Sequence, residues 1–355
     1  MRIKIIFLFL LGISFASVAF ELPFDNDIFV WTTAKSIERY EVELNYKPSV
    51  NITFFSNEKI SIDSEISYNL ALGVEKDTTA TLRPDLYHNW YRYWLRFSTD
   101  QFQARAGLQK IDFGPAQILR SLKWFDTIDP LDEQKESSGV NALLLKYYFL
   151  NNANIWAWGI LSDDTTELQQ LSASEEDKIE IGGRVQYPFE YAETALSFHA
   201  RQLLDGASEK RIGFDSRWDF GVGLWMEGVI SRFENYNHKW EKILTLGADI
   251  TIPVGNGIYV LSEHRTCSKA KEELFENEDE CRTSALLLSY PLGIISAAKT
   301  VASYDWKNEM WMRFFSYSLN FDYVKISLNY YWNSEFSEHS LMSGRSVQLL
   351  LSSSF

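Results

Sequence analysis

The chain has 355 residues, 15% of them aromatic (12 Trp, 18 Tyr, 24 Phe), a formal charge of −14 and two cysteines. That acidic balance argues against nucleic acid as a partner. Beyond the first twenty residues no apolar run approaches the ~20 residues a membrane helix needs, which excludes helical spans.

The N-terminus reads MRIKIIFLFLLGISFASVAF. Arg2 and Lys4 precede an apolar run, Ile5 to Phe15, and Ser17-Val18-Ala19 is a small-x-small site. Residues 1–19 are therefore expected to be a secretory signal cut after Ala19. Residues 20–37 are expected to be a periplasmic N-terminal segment, with the first strand near Glu38.

From Glu38 onward, segments alternate apolar and polar with a period of two, the mark of a strand with two different faces. In LYHNWYRYWLRFS, Tyr87, Tyr91, Tyr93, Leu95 and Phe97 alternate with His88, Trp90, Arg92, Trp94 and Arg96. QFQARAGLQ, KIEIGGRVQY, AETALSFHAR and RIGFDSRWDF behave alike and put Arg105, Arg184, Arg201 and Arg217 on their polar faces. Short turns (Ser98 to Gln101, Asn151-Asn152, Pro188 to Glu190, Pro253 to Asn256, Pro291-Leu292) alternate with longer polar loops. That rhythm predicts an all-β fold, a transmembrane antiparallel up-and-down β-barrel over 38–355. About 18 strands are expected, with 16 as the alternative if ERYEVELNY and SVNITFF are not two strands. Aromatics beside the turns suit two interfacial girdles. Apolar faces would meet lipid and polar faces a lumen.

One connection breaks the rhythm, GLQKIDFGPAQILRSLKWFDTIDPLDEQKESSG. At this length a loop is functional or disordered, and Phe113, Ile118, Leu119, Leu122, Trp124 and Phe125 argue against disorder. Residues 111–138 are expected to fold inward and narrow the lumen. The candidate constriction charges are Asp112, Arg120, Lys123, Asp126, Asp129 and Asp132, facing wall arginines Arg92, Arg96, Arg105, Arg184, Arg201 and Arg217. Opposed charges in a constriction select solutes by charge; taken singly, the same residues also read as ion pairs that stiffen the wall.

Cys267 and Cys281 flank an acidic stretch and are expected to close one loop in an oxidising compartment, outside the strand ladder. The five histidines, His88, His199, His238, His264 and His339, show no metal-ligand spacing, and no haem or nucleotide motif occurs. No catalytic residue, metal or cofactor is expected. The acidic loops Asp163 to Asp177 and Thr266 to Glu280 read as solvated, or as bridges to lipopolysaccharide through divalent cations.

The chain ends SVQLLLSSSF, with Val347, Leu349, Leu351 and Phe355 in one phase. A last strand ending in phenylalanine resembles the C-terminal signature of bacterial outer-membrane barrels. Gly107, Gln109, Phe113-Gly114 and Pro130-x-Asp132 resemble a motif of porin-like families, including alginate-export-like barrels, with Leu108 in place of that motif's arginine. The resemblance implies an outer-membrane location, contact with lipid and lipopolysaccharide, and recognition by the barrel assembly machinery through the last strand. It also implies passive diffusion of small hydrophilic or charged solutes. The alternative is a sheath for a periplasmic or multihaem cytochrome partner; a homo-oligomer is left open.

Overall fold

The structure is a computed structural model that describes residues 24–355 apart from 36–38, 77–81, 126–136, 138, 162–177, 204–205, 277 and 336–342. The alternating segments form strands β1 (Phe24–Ala34), β2 (Tyr40–Ser56), β3 (Ile60–Lys76), β4 (Leu82–Thr99), β5 (Phe102–Gln109) and β6 (Val140–Tyr148). They continue as β7 (Asn154–Leu161), β8 (Ile179–Pro188), β9 (Ala192–Gln202), β10 (Ser208–Asp219), β11 (Gly223–Glu234) and β12 (Trp240–Ile252). The last six are β13 (Ile258–Ala270), β14 (Asp279–Pro291), β15 (Ser296–Asp305), β16 (Met310–Asn320), β17 (Lys325–Trp332) and β18 (Arg345–Ser354).

Every strand pairs antiparallel with its sequence neighbours, and β1 also pairs with β18 from Asp27↔Ser354 to Ala34↔Val347. The sheet therefore closes, leaving no edge whose backbone groups would lie unpaired in hydrocarbon. The closing seam is reinforced where Gln348 donates to the Thr33 hydroxyl at 3.2 Å. Asn26 and Phe355 exchange backbone hydrogen bonds of 2.8 and 3.1 Å. Phe24 and Phe355 lie at the short-turn end of the barrel, and the chain leaves β5 for β6 at the other.

The two faces follow the sequence. On β18, Val347, Leu349 and Leu351 are 45%, 39% and 37% exposed, whereas Ser346 and Leu350 are 3% and 4%. On β8, Ile181 points outward while Glu180 and Arg184 are buried toward the lumen.

Four expectations need correction. The barrel begins at Phe24, not near Glu38: Phe29, Trp31 and Thr33 face inward while Ile28, Val30 and Thr32 face outward, so the apolar run Ile28 to Trp31 spans both faces and no alternation marks it. ERYEVELNY and SVNITFF are one strand, β2, running straight through Pro48; Lys47 and Pro48 drop out of the pairing with β3 and it resumes in the same register at Ser49↔Ser67. The strand number of 18 stands because one strand was missed and one was split.

A bulge at Tyr91, where Ser67 pairs with Arg92 but Tyr68 with Trp90, reverses the phase of β4 toward its outer end. Trp90 and His88 therefore turn outward, His88 to a 2.7 Å hydrogen bond with the Tyr68 hydroxyl, and Tyr87 turns inward. Finally, Cys267 and Cys281 are bonded directly across the β13–β14 ladder, Cα–Cα 5.0 Å, with strand pairing continuing beyond them. The disulfide staples two paired strands rather than a loop outside the ladder.

Two outcomes follow. Leu286→Arg, an outward residue in mid-strand, lowers folding stability by roughly 2–4 kcal/mol in a bilayer unfolding titration. Unreduced peptide mapping recovers Cys267 linked to Cys281 within one chain, and replacing both by serine lowers the temperature of the heat-modifiable gel shift without abolishing the barrel.

Candidate pore and constriction

The connection after β5 turns into the lumen at once. Ile111, Phe113, Leu122, Trp124 and Phe125 are buried against Val140, Ala142 and Leu144 of β6, Trp158 and Ile160 of β7, and Val229 of β11. Ala116 and Ile118 carry the loop on to Trp225 and Leu261, and Ile118 also packs against Val301, Phe314 and Tyr331 of the far strands. These wall positions are inward and apolar because they are covered by protein and not by water. Gly213 of β10 leaves the room that Leu122 and Trp124 fill; a Cβ there would meet Leu122 Cδ2 at 2.6 Å.

Irregular backbone inside a barrel needs hydrogen-bond partners. Two fully buried wall carboxylates supply them. Glu227 on β11 accepts from the amides of Ala116 (2.8 Å), Ser121 (2.7 Å) and Leu122 (3.1 Å). Glu263 on β13 accepts from the amides of Gln117 (2.7 Å), Ile118 (3.0 Å) and Leu119 (2.5 Å), and from the Trp225 indole at 3.2 Å. Gly114 has φ 96° and lies so close to Glu227 that a side chain would collide with the carboxylate. Thr245 of β12 donates to the Leu119 carbonyl at 2.7 Å and its hydroxyl lies 2.7 Å from that of Ser121.

Of the candidate loop charges, Asp112 and Arg120 form an ion pair, and Lys110 approaches Asp112 at 3.1 Å. Burial opposes ionisation of Asp112, but Arg120 and Lys110 outweigh it and hold the carboxyl below its ordinary range. Lys123 is exposed. Asp126, Asp129 and Asp132 lie outside the described residues.

The wall arginines divide into three groups. Arg184 is buried in a two-point pair with Asp215 (2.5 and 2.8 Å), and Arg201 is buried against Glu209 at 2.7 Å, so both stiffen the wall behind the loop. Arg92 donates to the Ser137 carbonyl at 2.7 Å, holding the returning end of the connection. Arg96, Arg105 and Arg217 line the open lumen: Arg96 pairs with Asp63 at 2.6 Å, Arg217 lies 3.7 Å from Asp249, and Arg105 stacks 4.5 Å from the centre of the Trp94 ring.

Sequence reasoning missed Glu227, Glu263 and Lys146. The signal was there: each glutamate is a lone carboxylate on the inward phase of a largely apolar strand, LWMEGVI and VLSEHR. Lys146 lies 3.4 Å over the Trp156 ring, beside Arg105 on the inner wall, and neither cation forms an ion pair among the described residues. Near the outer ends of β2 to β4 the inner wall is acidic instead, with Glu41, Glu43, Glu75 and Asp85 around Arg83. The buried His199 faces Glu180 at 3.0 Å and receives the Trp158 indole at 3.3 Å, beneath Phe125 and Trp124.

This architecture has relatives among solved structures. The outer membrane protein OpdK from Pseudomonas aeruginosa superposes with a TM-score of 0.63 at 10% identity, covering 94% of this chain and 98% of that one. The fold is that of the bacterial outer-membrane porins. OccAB2 and OccAB1 from Acinetobacter baumannii superpose with TM-scores of 0.62 and 0.61 at 8% and 10% identity. Each comparison covers 94% of this chain, with 98% of OccAB2 and 95% of OccAB1. No protein-family model matches the sequence, and no curated protein does. The likeness is thus one of fold, at 8–10% identity.

Glu263→Ala removes the acceptor of four donors and frees the loop: amide hydrogen exchange over Gln117 to Leu119 accelerates, consistent with a docking loss of at least about 3 kcal/mol, while exchange in β13 is little changed.

Proposed function

We propose that the chain is an outer-membrane channel for passive diffusion of small hydrophilic or charged solutes, reached after a signal peptide is cut near Ala19. The observation that carries this reading is the inward loop. Ile111 to Phe125 enter the lumen and are tied there by Glu227 and Glu263, which narrows the barrel from within. Eighteen strands are wide enough to hold water. The path has an acidic outer mouth and, lower down, the cations Arg96, Arg105 and Lys146, so solutes meet charges of both signs in sequence.

A sheath for a multihaem cytochrome would need the space that the loop occupies, and that reading gains no support. No catalytic role is proposed either: His199 is buried behind the loop, where no solute reaches it.

Planar-bilayer recording tests the channel. Deleting Gln117 to Lys135 raises single-channel conductance. Replacing Arg96, Arg105 and Lys146 by alanine shifts the reversal potential toward cations under a salt gradient, and the shift shrinks at high salt as screening grows. Arg92 is left intact in that variant because it holds Ser137. Folded, inserted protein with no conductance would overturn the proposal.

A further inference from the structure

The outer end of β4 is an open sheet edge. β2, β3 and β4 run for 17, 17 and 18 residues, whereas β5 to β8 run for 8, 9, 8 and 10. β5 stops at Gln109, where the chain turns into the lumen, and β4 pairs with it only from Tyr93↔Leu108 to Ser98↔Gln103. The outer part of β4 stays paired with β3 as far as Lys76↔Leu82. On its other side no strand lies beside Leu82 to Trp90 among the described residues, and every residue from Leu82 to His88 is exposed, on both faces. Pro84, which has no N–H to give to a ladder, suits such an edge. A strand that crosses a bilayer uses about 9–11 residues. Counted from Thr99 at the short-turn end, β4 reaches that length near Asn89, so Leu82 to His88 stand in water beyond the outer face of the membrane. An unpaired edge is permitted there, and its backbone groups are free to pair with another chain.

The inward side of this edge is acidic. Glu43, Gly73 and Asp85 lie in one row across β2, β3 and β4, and Glu41, Glu75 and Arg83 in the next. The space over Gly73 is unfilled, since a Cβ there would meet no atom nearer than 3.9 Å. The two rows surround a hollow of ≈ 320 Å³ floored by Ala71 and Gly73. Four carboxylates share it with one guanidinium, and none of the four forms an ion pair among the described residues. The outward side of the same edge carries the exposed Leu82, Leu86 and Trp90.

We infer that the edge of β4 takes up an extended cationic polypeptide from outside the cell as an added strand, with lysine or arginine at every second position and apolar residues between. In such an addition main-chain hydrogen bonds supply affinity and alternate side chains supply specificity. A long cationic side chain opposite Asp85 enters the hollow over Gly73, between Asp85 and Glu43. The residues on either side of it turn outward to Leu86 and Trp90. A compact cation would meet the carboxylates and leave the edge unpaired; a neutral strand would pair with the edge and leave the carboxylates unmet. The two features together select a cationic strand. The inference needs the long-loop end of the barrel to face outward and does not depend on conductance.

The test is amide hydrogen exchange of the full-length barrel in lipid nanodiscs with synthetic peptides as probes: one alternating lysine and valine, one of the same composition with its lysines in a block, and two alternating forms N-methylated on every second amide, in opposite phases. The alternating peptide slows exchange within Leu82 to Asn89 by roughly tenfold or more, as a new ladder of hydrogen bonds requires. Methylation in one phase abolishes that protection and in the other leaves it, because only alternate amides of a strand face the edge. Glu43→Gln with Asp85→Asn weakens binding severalfold, and the loss shrinks at high salt. Equal protection by the block peptide, tolerance of methylation in both phases, or undiminished binding by the double variant overturns the inference. So does protection of β4 without any peptide that grows with protein concentration, which would assign the edge to a second copy of the chain. The heat-modifiable gel shift, scored on the variant, separates lost binding from failure to form the barrel.

Discussion

Seven donors, six loop amides and one indole, converge on two carboxylates, Glu227 and Glu263. A loop that enters a barrel faces a strict requirement: its backbone has left the ladder, and burial removes the water that would otherwise satisfy it. Glutamates on β11 and β13 meet that need from the wall side, each serving three amides. Thr245 adds a donor where the loop offers a carbonyl. The remaining surface of the loop is then free to be apolar, and it packs on the apolar stretch of wall that runs from β6 to β17. A loop with the same hydrophobic residues but without those acceptors would hide its side chains at the cost of stranding its amides.

This arrangement divides the lumen. Where the loop lies, the wall is apolar or closed by buried ion pairs such as Arg184–Asp215 and Arg201–Glu209. Charges buried behind a loop contribute to rigidity and do not meet a solute. On the strands that the loop leaves open, Arg96, Arg105 and Lys146 lie over or beside aromatic rings; Arg96 is also paired with Asp63, whereas Arg105 and Lys146 form no ion pair among the described residues. The inward cations therefore divide between those held in the scaffold and those on the wall that the described part of the loop leaves uncovered.

The barrel was legible in the sequence because a period of two with different faces has few solutions, and because turn lengths alternate. Where the pattern failed, the chain had local reasons. The apolar run Ile28 to Trp31 of β1 spans both faces, Pro48 imitates a turn inside β2, and the extra residue at Tyr91 inverts the phase of β4 without changing its composition. The inward course of 111–125 was legible from its aromatics, since a long polar loop has no use for Phe113, Trp124 and Phe125. Its anchors were not. Glu227 and Glu263 lie more than 100 residues along the chain from the amides they receive, and a single carboxylate on an apolar strand does not say what it faces. The roles of Arg92, Arg184 and Arg201 were hidden because periodicity gives the face, whereas strand register and the return of the loop give the partner.

The most direct measurement is a cross-link between the loop and the wall. The hydroxyls of Ser121 and Thr245 lie 2.7 Å apart, so cysteines at these positions are within reach of a disulfide. In Ser121→Cys with Thr245→Cys, oxidation of the folded barrel is predicted to form that bond quantitatively and to leave single-channel conductance at its reduced value, because the loop is already where the bond would hold it. Cysteine at 121 that is freely modified by a membrane-impermeant thiol reagent and forms no link to 245, or a conductance that collapses on oxidation, would contradict a constriction held in place by the wall.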